Sequence, residues 1–157
     1  MSQEHRNRWI TAVLGLIGLF GIYFLGGHWG LVFITIVIST AAYYEFLTIS
    51  RAAEDRKWLS VAMGFALSTW LCLNLPSPTL ALYLAMAAIL FRSLLQVHFA
   101  GAETLASNFF HAQTKAFGLL YMVFFTSFVP RIHSLAHGPE LLLFLLLIIW
   151  LGDTAAY

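Results

Sequence analysis

Asp153 stands beside Thr154 just after an apolar run from Leu141 to Leu151, which sets a carboxylate and a hydroxyl at the end of a segment suited to hydrocarbon. Such a carboxylate can organise a metal ion or the nucleotide side of a reaction, and the hydroxyl can take a neighbouring polar or capping role. On insertion scales the eleven apolar residues are worth roughly −3 to −7 kcal/mol together, against about +2.5 to +3.5 kcal/mol for an aspartate at a helix centre. The segment therefore inserts with its aspartate, and stability does not explain why the aspartate is there. An ionisable residue at membrane depth is by default a functional hypothesis. Glu45 is the second intramembrane carboxylate. Ala41 and Ala42 lie one turn before it on the same face, a small-residue surface suited to close helix packing, and a salt bridge to Arg8 or Arg51 is its expected role. His133 and His137 have the i, i+4 spacing of two metal ligands, with Glu140 close by. Pro130 and Gly138-Pro139 leave little helix to hold that pair, so solvated loop histidines are the expected reading. Cys72, the single cysteine, reads as a small buried apolar residue.

The elements that position these groups follow from composition. The chain is 61% hydrophobic and 10% charged over 157 residues, and eight basic plus seven acidic side chains cannot cover a water-soluble domain of that size. An all-α, polytopic helical membrane protein with about six transmembrane helices is expected, forming a single transmembrane domain over residues 1–157. The spans are read as Trp9 to Leu25, Leu31 to Ile49, Trp58 to Leu75, Thr79 to Val97, Ala116 to Val129, and a last one from about Leu141. Gly26-Gly27-His28-Trp29-Gly30 breaks the first long apolar stretch in two. Pro76-Ser77-Pro78 and Pro130-Arg131 mark further breaks, and His98 to Lys115 reads as a loop or an interfacial helix. The first span lacks a small-x-small cleavage pattern and is expected to be retained. With the N-terminus cytoplasmic, Arg6, Arg8, Arg51, Arg56, Lys57, Arg92 and Lys115 fall inside and Arg131 alone outside. Asp153 then reaches the cytoplasmic face, where nucleotides and magnesium are found.

A formal net charge of +1 gives no case for nucleic acid as a partner. No Walker loop, Gly-x-Gly-x-x-Gly or paired-cysteine motif is present. Two other classes compete with an enzyme. A small transporter would route protons or solutes past Glu45 and Asp153 and would pair its helix breaks in two halves, a pairing this chain does not show. A non-catalytic membrane scaffold, or a truncated remnant of an enzyme, would keep the spans without a complete site.

Four segments carry a family resemblance: Arg8-Trp9-Ile10-Thr11-Ala12, Glu45-Phe46, Gly118-Leu119-Leu120-Tyr121, and Trp150-Leu151-Gly152-Asp153-Thr154-Ala155-Ala156-Tyr157. In this order and spacing the chain resembles the N-terminal part of the phosphatidate cytidylyltransferases, also called CDP-diacylglycerol synthases. The last segment is similar to the family's Asp-Thr-Gly-Ala-Tyr, with Ala155 in place of glycine. The resemblance implies a multi-pass enzyme of a bacterial inner membrane that uses CTP and phosphatidate and releases CDP-diacylglycerol and pyrophosphate. It also implies Mg2+ as cofactor, Asp153 and Thr154 at the catalytic site with Asp153 on the metal, and lipid entering from the inner leaflet; a homodimer is compatible with it. The family's Gly-Arg and Gly-Lys rich stretch and its Ser-Pro-x-Lys-Thr motif are not among these residues, so the chain is expected to be the N-terminal portion of a longer enzyme and inactive alone.

Overall fold

A computed structural model describes residues 3–50, 57–74, 77–98 and 105–155, and among them every regular element is helical. The order is α1 (Gln3–Ile49), α2 (Lys57–Asn74), α3 (Pro78–His98), α4 (Leu105–Gly118), a π-helical turn (Leu119–Phe124), α5 (Phe128–His133) and α6 (Gly138–Ala155). The expected break in the first apolar stretch is a real one. Gly27 takes φ 53°, ψ −134°, left-handed backbone open to glycine, and it divides α1 into two limbs. The chain closes so tightly there that a Cβ on Gly30 would collide with the Ile22 carbonyl. At the start of α3 the hydroxyl of Ser77 accepts from the amide of Leu80 at 3.3 Å, with Pro78 in the first helical position. Serine as cap and proline just inside the helix are what that terminus prefers, since the missing proline N–H would be unsatisfied anyway.

The second limb of α1 is the hub. It packs most extensively on α2 and also meets α4, the π-helical turn and α5. Ser39 and Ser68 join α1 to α2 by a buried hydroxyl pair 2.7 Å apart. Tyr43, Leu47, Leu119 and Val123 form one buried cluster; Leu71 and Phe124 form another beside it.

The span expected from Ala116 to Val129 begins earlier. A helix runs from Leu105, and the apolar stretch long enough to cross a membrane extends from Ala106 to His133. The one cation of α4 lies on the inward face: Lys115 is 6% exposed and the neighbouring Ala112 3%, whereas Phe109, Phe110 and Phe117 point out at 52–61%. The α geometry ends at Gly118, and a π-helical turn and a further short turn carry the chain to α5, so that no α-helix runs on through Thr126, whose carbonyl the Pro130 ring would strike. The amide of Phe125 reaches the Leu120 carbonyl five residues back, and the hydroxyls of Thr126 and Ser127 donate to carbonyls of Met122, Val123 and Phe124.

Two helices, Gly21–Ile49 and Ala106–His133, are long and apolar enough to cross a membrane. A core helix in a soluble protein passes the same test but is mostly buried. Here most of each apolar window is exposed, with Phe33, Val37, Ile38, Tyr121 and Phe125 turned outward. Such an exposed apolar surface is consistent with a membrane protein.

Candidate functional site

Two of the four segments that carry the family resemblance meet in space. Phe46 of α1 lies so close over Gly118, at the end of α4, that a Cβ there would stand 2.6 Å from the Phe46 ring. Tyr43, one turn earlier, is fully buried with its ring held between Gly64 of α2 and Gly118. Its hydroxyl donates to the carbonyl of Lys115 at 3.3 Å. Glycine is required at both places because a ring occupies the space a side chain would fill. Tyr121, in the same segment as Gly118, faces outward and stacks on Phe117 with ring centroids 5.6 Å apart.

Glu45 points the other way. It is exposed and lines an open groove of about 840 Å3 between α1 and α2, whose walls include Val37, Ala41, Ile49, Val61 and Phe65 with Tyr44 and Trp58 at the same end. The expected close packing on Ala41 and Ala42 is therefore corrected. Ala41 faces the groove, and the close approach is made instead on the Tyr43 face, where two glycines admit a ring. No ion pair to Glu45 forms among the described residues. The expected partner Arg51 and the side chain of Arg8 lie outside them.

Asp153 and Thr154 fall in the last turn of α6, while their side chains, like the whole of Tyr157, lie outside the described residues. α6 packs chiefly against α5 and is apolar all round, with Leu143, Phe144, Leu146, Ile148 and Ile149 exposed. Among the described residues no group of three His, Cys, Asp or Glu could hold a metal ion. His133 and His137 do not converge either. His137 sits in left-handed backbone, φ 61°, with its side chain 85% exposed and 4.0 Å from Glu140. His133 turns instead to the break in α1, where Tyr23 before Gly27 and His28 after it meet it. Sequence reasoning missed this contact.

The outward apolar faces, the buried Lys115 and the glycine-ring packing describe an all-helical protein with two helices apolar and long enough to cross a membrane. A family model described as the cytidylyltransferase family matches residues 6–157, and the chain belongs to that family. The match spans all four resemblance segments, including the contact between Phe46 and Gly118. No match is found among curated proteins or among solved structures.

Proposed function

We propose that this protein serves as a phosphatidate cytidylyltransferase, multi-pass in a bacterial inner membrane with about six spans and a cytoplasmic N-terminus. The observation that carries the reading is the family match over residues 6–157. A phosphate oxygen of phosphatidate attacks the α-phosphorus of CTP, the new P–O bond replaces the bond to the leaving pyrophosphate, and CDP-diacylglycerol remains in the bilayer. Such transfers depend on positioning and on stabilising phosphate charge rather than on covalent help from the protein.

In this reading α6 brings Asp153 to the cytoplasmic surface, and the carboxylate organises the nucleotide side of the site. Magnesium is held in phosphoryl-transfer sites by one or two carboxylates together with substrate phosphates and water, so a single Asp153 oxygen fits that donor set. Bound there, the ion would neutralise developing charge on the phosphates. Thr154 has a polar or capping role beside it. The end of the bundle that carries Glu45 and Lys115 faces the same side.

The test is conversion of phosphatidate and labelled CTP by the purified full-length enzyme, compared with Asp153→Asn. Loss of one preorganised charge predicts a fall in turnover on the order of 10²-fold or more, with expression and detergent stability little changed. Turnover within a few-fold of the parent would sink the assignment of Asp153. Transfer of CMP to an acceptor other than phosphatidate would replace the substrate.

A further inference from the structure

The contact between the Gly27 break of α1 and the end of α5 lies outside the site proposed for that reaction. Seventeen residues of α1, roughly 25 Å of helix, separate His28 from Glu45. Three polar side chains that are 105 and 110 residues apart in sequence are nonetheless brought together there, in a chain with few polar groups to spend.

Nδ1 of His28 stands 3.5 Å from Nδ1 of His133. For a hydrogen bond that is long, since N–H···N contacts of good geometry are nearer about 3 Å. Two imidazole nitrogens on one tetrahedral zinc ion, each about 2.0–2.1 Å from the metal, are roughly 3.3–3.4 Å apart. The spacing is thus close to that of two nitrogens sharing one cation. The rings lie 5.6 Å apart and are tilted by 32°, so the two nitrogens converge on one region without the rings stacking.

The other nitrogen of His133 supports the same reading. Nε2 is 3.1 Å from the hydroxyl of Tyr23. When Nε2–H donates to the phenol oxygen, the tautomer is set and the lone pair of Nδ1 faces His28. Outer partners of metal-bound histidines do this work, fixing tautomer and ring orientation. The Arg131 guanidinium, two residues before His133, lies over the Phe128 ring, 5.6 Å from its centroid.

We propose that His28 and His133 form a two-histidine site for a divalent transition-metal ion of the zinc class, with Tyr23 as its positioning residue. Imidazole suits zinc, copper and nickel rather than magnesium, so this site is chemically distinct from any at Asp153. Among the described residues no third His, Cys, Asp or Glu joins the pair, and water completes the coordination shell. The ion clips the turn at Gly27 to the end of α5.

The test uses full-length protein purified without a histidine tag, stripped with chelator, and titrated calorimetrically with cobalt(II) and separately with zinc. One cobalt per chain, displaced by zinc, is expected. His28→Gln and His133→Gln each keep a polar side chain in place and should weaken binding at least about tenfold, while Tyr23→Phe should weaken it about tenfold through the lost orienting bond. His137→Ala should leave binding unchanged. Zinc should raise the melting temperature of the parent but of neither glutamine variant. Parent protein that takes up no cobalt, or glutamine variants that bind as tightly as the parent, would overturn the proposal. An equal loss in His137→Ala would also overturn it, because the ligand would then be His137.

Discussion

Gly118→Ala isolates the cost of the ring packing, because nothing else about that position resists alanine. Its backbone is helical, φ −60° and ψ −42°, so alanine meets no strain and gains about 0.8–1.0 kcal/mol of helix propensity. Against that, its Cβ would stand 2.6 Å from Cδ1 of Phe46 and 2.8 Å from Cε2 of Tyr43. Phe46 is half-buried and has some room to move. Tyr43 does not, because Gly64 backs its other side so closely that a Cβ there would be 2.6 Å from the Tyr43 ring. Overpacking a filled core costs about 1–3 kcal/mol, and a pinned ring places this case at about 2–3 kcal/mol. After the propensity gain, a net loss of about 1–2 kcal/mol remains, or roughly a 5- to 30-fold change in the folded-to-unfolded ratio. Reversible unfolding of the purified protein in mixed micelles measures it. Gly21→Ala, with nothing within 4 Å of its Cβ position, is the control and should be neutral or stabilising. Phe46→Ala should remove part of the Gly118→Ala penalty, giving a favourable coupling of about 1 kcal/mol in the double-mutant cycle. If Gly118→Ala were as stable as the Gly21→Ala control, or its penalty survived intact in the Phe46→Ala background, the packing argument would be refuted.

Removing the Ser39–Ser68 bond by Ser39→Ala and Ser68→Ala should reveal a coupling of about 0.5–1.5 kcal/mol in the same unfolding assay, as for interhelical hydrogen bonds in membranes; additive single effects would mean the pair contributes nothing. Glu45→Gln, at an exposed position, should change stability by less than about 0.5 kcal/mol and leave turnover within a few-fold. A large loss of turnover alone would make Glu45 a substrate contact. For topology, single cysteines at positions 2 and 55 in a Cys72-free background should resist an impermeant thiol reagent in intact cells while one at position 77 reacts. The reverse pattern would put Asp153 on the outer face.

The breaks were legible because their causes are local. Gly27 needs left-handed backbone, and Ser77-Pro78 is a helix start that can be read from residue types alone. The start of α4 was not legible, because a helix in lipid inverts the usual pattern: Lys115 faces in and Phe109, Phe110 and Phe117 face out, so polarity along the sequence resembles a loop. Ala41 and Ala42 suggested a packing surface on size alone, yet the face that packs is decided by what stands opposite, and Gly64 and Gly118 are far away in sequence. The same distance hid the meeting of Tyr23 and His28 with His133. His137, four residues on, is exposed as expected of a loop histidine, while His133 finds partners more than a hundred residues away. Asp153 was conspicuous because a charge after eleven apolar residues has no structural excuse.

The π-helical turn at Leu119–Phe124 acts as a phase shifter in the rod that runs from Leu105 to His133. One residue more than an α-turn is accommodated there, and each residue of an α-helix advances the side chains by about 100°. The direction in which Lys115 and Gly118 face is thus uncoupled from the direction in which Pro130 and His133 face. Deleting a single residue within Leu119–Phe124 would remove the extra residue of the π turn and swing one half by about 100° relative to the other. Tyr43 and Phe46 could then keep their glycine, or His133 could keep Tyr23, but not both. The odd residue is what lets one rod satisfy two neighbourhoods at opposite ends of the bundle.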